Sequence, residues 1–339
     1  MPPIKYGVVG TGWITDSWIH AAAKTGSWQL HAVYSRTADQ AQSFAAKHDI
    51  PTLYTDLDQL AADDALQVVY IGSPNSLHHA QAKACLQAGK HVLLEKPATS
   101  TVAELDELFQ LARAHRVILI EAYRHIHEAN FKRLQQLVRQ ENRLGPIYGA
   151  SLQYASYSSR YNDMLDGWVP NVFNLDFSGG ALVDVGVYPV LFCVALFGAP
   201  QSQTYAPFIC ASGVDGGGMA LLRYPTFAVQ INISKCYASA APCEIYGERG
   251  TLTVNAATDI RTIRHWDPRT KQTEELAGPY KTVDKPDVNM EEEAAEFARI
   301  IDANDTGAVE ALEELSKIVL RVTTDLRRQG GIVYPADSK

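Results

Sequence analysis

The sequence predicts a doubly wound α/β domain over residues 1–124, followed over 125–339 by a mainly antiparallel α+β domain. Three observations carry this reading. The chain has 339 residues, enough for about two domains at roughly 150 residues each. From residue 4 to about 122, short apolar runs alternate with helix-length amphipathic segments, the pattern of a parallel sheet wrapped in helices. Beyond the Gly145-Pro146 pair the segments grow longer, alternate in polarity and are rich in Tyr, Thr and Val, as strands of an antiparallel sheet are.

In the first domain, Tyr6 to Gly10 reads as a strand followed by a helix through Ile19. His31 to Ser35 is the next strand, and Ala38 to His48 carries Ala41, Phe44, Ala45 and His48 at helical spacing. Val68 to Ile71 and His91 to Leu94 read as buried strands on either side of a helix, Leu77 to Gln87, that Gly89 closes. Thr101 and Glu104 form a capping box opening a helix to about His115, and Val117 to Ile120 is the strand that follows. A helix over about 127–141 ends before the Gly-Pro break. In the second domain the expected strands are Leu152 to Ser158, Gly218 to Tyr224, Phe227 to Tyr237, Cys243 to Tyr246 and Thr251 to Val254, with turns such as Gly247-Glu248-Arg249-Gly250 between them. Helices are expected over about 180–197, 290–304 and 308–328, and no internal repeat is visible.

Composition narrows the function classes. The chain is 46% hydrophobic and 20% charged, without a run of ~18 or more uninterrupted apolar residues, which fits neither a disordered nor a membrane-spanning chain. Thirty basic residues against 38 acidic ones give a net charge of -8, which opposes a nucleic-acid partner. Five cysteines, at 85, 193, 210, 236 and 243, form no CxxC pair, and their odd number suits buried thiols in a reducing compartment. The start, Met1-Pro2-Pro3-Ile4-Lys5-Tyr6, lacks the basic and apolar regions of a signal peptide, so a cytoplasmic protein is expected. His78 and His79 do not share a helical face and have no third ligand at a suitable spacing, so no metal site is expected. Glu291-Glu292-Glu293 opens a helix, where negative charge complements the helix dipole.

Gly10-Thr11-Gly12-Trp13-Ile14-Thr15 places a G-x-G directly after a strand and before a helix. In that setting Gly10 permits the tight turn and Gly12 admits the pyrophosphate of a dinucleotide to the positive end of the helix. Thr15 stands where the fingerprint has Gly or Ala, which predicts a slightly wider helix-to-strand spacing. The second strand lacks the terminal acid that accepts ribose hydroxyls. Ser35, Arg36 and Thr37 stand there instead, a guanidinium with two hydroxyls, and this favours NADP over NAD. Glu95-Lys96-Pro97 puts an ammonium at the carboxyl end of a parallel strand, where open α/β sheets bind ligands. Pro97 fixes the exit of the chain there.

These motifs, with Pro74-Asn75 and His78, the run Ala88-Gly89-Lys90-His91-Val92-Leu93-Leu94-Glu95-Lys96-Pro97, and Gly179-Gly180-Ala181-Leu182-Val183-Asp184-Val185-Gly186-Val187-Tyr188, resemble the Gfo/Idh/MocA oxidoreductases over nearly the whole chain. The resemblance implies an N-terminal Rossmann domain that binds NAD(P), and a C-terminal open sheet that shapes the substrate pocket and pairs copies into homodimers or homotetramers. Most members carry His where this chain has Tyr188. The Tyr form is similar to the glucose-fructose oxidoreductase and dimeric dihydrodiol dehydrogenase branch, in which a Lys and a Tyr do the acid-base work; those roles fall here to Lys96 and Tyr188, with Asp184 four residues before the tyrosine. Asn75 then lies near the nicotinamide ribose, and Arg124 where related chains approach cofactor or substrate. Arg160, Trp168, Asn174 and Asp176 precede Gly179-Gly180 and are candidates for lining the pocket.

The chemistry is consistent with these residues. Loss of hydride from a carbinol carbon requires the hydroxyl proton to leave as well. A phenol has a reference pKa of about 10, and a nearby ammonium favours its anion. The expected function is therefore an NAD(P)-dependent oxidoreductase acting on the CH–OH group of a sugar, polyol or trans-dihydrodiol. The alternatives are a non-catalytic NADP-binding redox sensor and an NAD-assisted glycosidase of the same family.

Overall fold

The computed structural model describes residues 2–280, 282, 283 and 287–338. Two compact units divide it: the first holds residues up to Arg124 together with Thr282–Lys317, the second His125–Lys281 and Ile318–Lys339.

The first unit contains a six-stranded parallel sheet of β1 (Ile4–Val9), β2 (Trp28–Tyr34), β3 (Thr52–Tyr54), β4 (Val68–Ile71), β5 (His91–Glu95) and β6 (Leu119–Ala122). Their order is β3-β2-β1-β4-β5-β6, so the strand order reverses at β1 and β4, the switch point at which doubly wound sheets bind ligands. β4 is buried at every position, as a central strand covered by helices on both faces must be. The Thr101 capping box is formed: its hydroxyl accepts from the Glu104 amide, and the Glu104 carboxylate accepts from the Thr101 amide.

Residues beyond the second unit's sheet return to this unit because of its aromatic core. Trp18, on the helix Trp13–Thr25, stacks on Tyr70 at 4.7 Å and meets Trp28 and Phe297 edge-on or tilted. Phe297 belongs to the helix Glu291–Ala303, whose Ala294 carbonyl accepts from the Trp28 indole at 2.9 Å. Where the sequence places all residues after 124 in one domain, this packing puts Thr282–Lys317 with the parallel sheet.

The second unit is built on eight strands: β7 (Ile147–Ala155), β8 (Ser202–Ile209), β9 (Asp215–Arg223), β10 (Ala228–Ser234), β11 (Cys243–Gly247), β12 (Gly250–Val254), β13 (Ile263–Asp267) and β14 (Gln272–Glu275). Their order is β14-β13-β12-β11-β7-β10-β9-β8, antiparallel throughout except for β7 beside β10. One face packs against the helix Val187–Phe197, of which ten residues are buried. The stretch Leu175–Phe197 is long and apolar enough to cross a membrane by composition, yet 83% of its most apolar window is buried in the protein, as a core helix is.

Candidate active site

In the first unit, the turn after β1 is shaped for close approach. Gly10 has a φ of 103°, and a Cβ there would lie 2.7 Å from the Gly72 carbonyl oxygen, so no side chain fits. A Cβ on Gly12 would meet nothing within 4 Å. Gly12 is the N-cap of the helix Trp13–Thr25 and supplies no side-chain cap, which leaves the helix's first amides to a ligand. Thr11, Trp13 and Ile14 complete the turn; Trp13 is 57% exposed, while Ile14 packs on the core. Thr15 is fully buried, and a Cβ on Gly72 would come within 2.9 Å of its hydroxyl. The small residue at this contact is thus supplied by Gly72, which faces Thr15 from the turn after β4.

At the end of β2, Ser35 is buried and its hydroxyl donates to the Gln40 side chain at 3.1 Å. Arg36 beside it is exposed and, among the described residues, makes no ion pair. The pyrophosphate end and the ribose end of a dinucleotide site therefore fit these residues: an open glycine cradle at a helix terminus and an uncommitted guanidinium.

The turn that presents Lys96 is held at three main-chain atoms. Glu95 is buried; one carboxylate oxygen accepts from the Tyr70 hydroxyl at 2.7 Å and the other from the Lys96 amide at 3.2 Å. Glu121, opposite on β6, accepts from the Ala98 amide at 2.7 Å. His78, buried at the start of the helix His78–Gln87, has Nδ1 3.0 Å from the Pro97 carbonyl and Nε2 2.8 Å from that of Ser73. Both ring nitrogens face main-chain carbonyls, so His78 braces the loop that carries Pro74 and Asn75 against the Lys96-Pro97 turn. Asn75 opens the short 3-10 turn Asn75–Leu77, with Pro74 as its N-cap. Arg124 is buried, 3.5 Å from the Asn289 carbonyl, and its charge acts on Glu95.

Burial raises the Glu95 carboxyl above its ordinary range, opposed chiefly by the Lys96 ammonium and then by the Tyr70 hydrogen bond. Burial also lowers the His78 pKa. Glu121 is pushed up to about 7, first by burial and against its hydrogen bond from Ala98. A carboxyl whose folded pKa lies above its reference of 4.5 weakens the fold as pH rises between the two values, and the loss then levels off. Glu121→Gln keeps the acceptor for Ala98 without the ionisation. Urea unfolding at about pH 5 and about pH 8 should therefore show the variant gaining on the wild type by about 2.5 kcal/mol at the higher pH. An equal difference at both pH values would remove this role for Glu121.

In the second unit, the G-G-x-x-x-D-x-G segment has a packing logic. Gly180 has a φ of 134° and faces the carboxylate of buried Asp215, which accepts from the Leu182 amide and the Tyr205 hydroxyl, each at 2.7 Å. A Cβ on Gly186 would lie 2.8 Å from the Ile233 side chain on β10. The expected single α-helix over 180–197 is instead a π-helical turn, Leu182–Gly186, running into the α-helix Val187–Phe197. A turn of this kind recurs at functional sites, and Asp184 sits in it.

Tyr188 is 9% exposed. Its ring stacks on Tyr154 of β7 at 5.4 Å, 15° from parallel, and meets His125 edge-on at 5.3 Å. Asp184 is ion-paired with Lys235, a buried lysine 51 residues away whose ammonium also lies 5.6 Å from the centre of the Phe173 ring. Lys235, Tyr154 and His125 escape the sequence reading, since only the packed sheet brings them to Tyr188 and Asp184. The other candidates act locally: Arg160 pairs with Asp163 at 3.5 Å, Asn174 accepts from the Asp176 amide at 2.9 Å, and Trp168 is 61% exposed.

Family models match both parts of the chain. Residues 4–123 match the oxidoreductase family with an NAD-binding Rossmann fold, and residues 131–253 match the GFO/IDH/MocA C-terminal domain. The chain belongs to the Gfo/Idh/MocA oxidoreductase family. Among its Gfo/Idh/MocA relatives is scyllo-inositol 2-dehydrogenase (NADP(+)) IolU of Bacillus subtilis, 39% identical over 336 residues that cover 98% of this chain and 99% of that protein. Trans-1,2-dihydrobenzene-1,2-diol dehydrogenase of Homo sapiens is 31% identical over 226 residues, covering 66% of this chain and 65% of that one. The crystal structure of KijD10, a 3-ketoreductase from Actinomadura kijaniata in complex with TDP-benzene and NADP, shares the fold with a TM-score of 0.80 at 22% identity, over 97% of this chain and 98% of that one.

Proposed function

We propose that this Gfo/Idh/MocA oxidoreductase is an NADP-preferring dehydrogenase or reductase of a CH–OH group in a sugar, polyol or trans-dihydrodiol, working in the cytoplasm. The observation that carries the reading is the Lys96 turn: an ammonium at the carboxyl end of β5, with three main-chain atoms of its turn held by buried Glu95, Glu121 and His78. Such bracing is what a group that must act at one angle requires. The names of relatives that act on scyllo-inositol and on a dihydrodiol support the substrate class, and the name of IolU supports NADP.

Gly10, Thr11, Gly12, Trp13 and Ile14 would hold the pyrophosphate, Ser35 and Arg36 the adenosine ribose and its 2′-phosphate, and Pro74, Asn75, His78, Glu95, Lys96 and Arg124 the nicotinamide end. When bound, the nicotinamide supplies a hydride acceptor or donor. In oxidation, the carbinol C–H bond breaks with its electron pair leaving as hydride, and Tyr188 takes the hydroxyl proton as the C=O bond forms. In reduction, Tyr188 returns that proton to the oxygen. Lys96 shares the acid-base work by supplying positive charge, and Asp184, steadied by Lys235, receives a substrate hydroxyl.

The test is absorbance of the reduced nicotinamide with each oxidised cofactor and a panel of inositols, aldoses, polyols and cyclic diols. A rise with NADP and one substrate class is expected; binding of cofactor without turnover in either direction would overturn the reading. Arg36→Ala should weaken NADP binding by about 10- to 100-fold, the worth of a charge-assisted hydrogen bond, and leave NAD binding within about twofold, as measured by fluorescence titration. An unchanged ratio of the two affinities would remove the basis for the NADP preference. Pairing of copies through the sheet face opposite the helix Val187–Phe197, where Met219 and Trp266 are exposed, completes the proposal.

A further inference from the structure

Next to Tyr188 the second unit has a cavity of about 320 Å³ that the reaction as described does not use. Tyr154 is one of its lining residues, and the Tyr154 ring stacks on Tyr188. Tyr154 is thus a neighbour common to the cavity and the proposed acid-base group. Its remaining walls include Gln153 and Ser156 at the end of β7, Ser239 on the connection between β10 and β11, and Asp259 and Arg261 on the connection between β12 and β13.

That last connection is held in place from several sides. Asn255 accepts from the amides of Arg261 at 2.7 Å and Thr262 at 3.1 Å, and donates to the Asp259 carbonyl at 3.2 Å. Buried Glu128 accepts from the amides of Asp259 and Ile260, and buried Asn130 donates to the Ile260 carbonyl. Arg261 is exposed, lies 5.4 Å over the Tyr280 ring and, among the described residues, makes no ion pair. Asp259 accepts from the Tyr280 hydroxyl at 3.1 Å. A loop held this firmly keeps its polar groups in fixed positions, as a recognition surface needs.

We propose that this cavity is a subsite for a second, neutral, hydroxylated ring, so that the preferred substrate is a glycoside whose reacting ring meets Tyr188 and whose neighbouring sugar sits against Asp259 and Arg261. The proposal rests on the dehydrogenase reading above and specifies its substrate class. Size fits: the cavity equals about ten water volumes, room for one sugar ring and at the lower end of small-molecule sites. Chemistry fits too. The lining combines a carboxylate, a guanidinium, two serines and Gln153, a mixed donor-acceptor set that a row of hydroxyls, each both donor and acceptor, matches better than a simple anion or cation does.

The experiment uses the full chain with NADP and five kinds of probe: D-glucose, scyllo-inositol, the α- and β-linked disaccharides of glucose and galactose, and glucose 1-phosphate. Saturation-transfer NMR reads which rings contact the protein, and cofactor reduction gives kcat/KM. Expected is a disaccharide with both rings saturated and kcat/KM about tenfold or more above that of the single rings. Arg261→Ala should reduce its binding about tenfold, the worth of a charged hydrogen bond, Ser239→Phe should reduce it about as much by filling the subsite, and both should leave the single rings within about twofold. Disaccharides that bind no better than glucose, equal losses on single and double rings, or preference for glucose 1-phosphate would overturn the subsite. Turnover of single rings without a two-ring preference would sink the subsite alone. Two-ring contact that Arg261→Ala abolishes, without turnover of any probe, would uphold the subsite and sink the dehydrogenase reading.

Discussion

Tyr188→Phe should lower kcat by about 10²- to 10⁴-fold, the usual contribution of a positioned general acid or base, while NADP affinity stays within about twofold. The substitution preserves the ring's aromatic contacts. Phenylalanine keeps the stack on Tyr154 and the edge contact with His125, and the fold loses one hydroxyl and no volume that matters to packing. Single-turnover rates with the cofactor in excess would separate the chemical step from product release, which can mask a smaller loss in kcat. If the variant turned over within about threefold of the wild type, Tyr188 would be an ordinary core aromatic and the proton would have to move elsewhere. The same pair of measurements bears on a redox-sensor role: a sensor keeps cofactor binding in wild type and variant alike and turns over in neither.

The first unit's sheet was largely legible because parallel strands covered on both faces are continuous apolar runs; Val68–Ile71 and His91–Leu94 stand out for that reason. What escaped detection had a weaker signal. β3 is three residues long and none of them is buried. β8 contains Pro207, which a central strand excludes but an edge strand tolerates, and β8 is the edge of its sheet. β14 is exposed at all four residues and has no apolar face to betray it.

The same distinction governs the site. Gly10, Gly12 and Lys96 could be proposed from sequence because each is defined by what lies next to it there: a strand end, a helix start, a proline. Glu121 acquires its role only through strand pairing, which sets Glu121 beside Leu94 and Ala122 beside Glu95 and brings its carboxylate to the Ala98 amide. The partner of Asp184 is likewise set by the fold. Lys235, 51 residues away, pairs with it across the packed sheet, and nothing next to Asp184 in the sequence points to that lysine. Thr15, where the fingerprint has Gly or Ala, likewise has a neighbour that only the fold reveals, Gly72.

Lys96→Met should cost about 10²- to 10³-fold in kcat, the range for removing one electrostatic donor from a reacting oxygen, with cofactor affinity changed by much less. Two effects make this variant informative. The ammonium is the largest of the influences that oppose burial at Glu95, so its removal should push that carboxyl further upward and weaken the Lys96-Pro97 turn through the hydrogen bond Glu95 accepts from residue 96. Lys96→Arg keeps the positive charge and so restores Glu95, yet its guanidinium is planar and longer and cannot reproduce the point charge of an ammonium. The two variants therefore separate charge from position. If Met and Arg are equally impaired in kcat while only Met loses thermal stability, the placement of the ammonium is what catalysis requires, as the bracing by Glu121 and His78 implies. If Arg recovers most of the rate, Lys96 acts through charge at Glu95 and is a positioning residue. If Met itself keeps near-normal kcat, Lys96 has no part in the chemistry and the strand-end turn is only a structural brace.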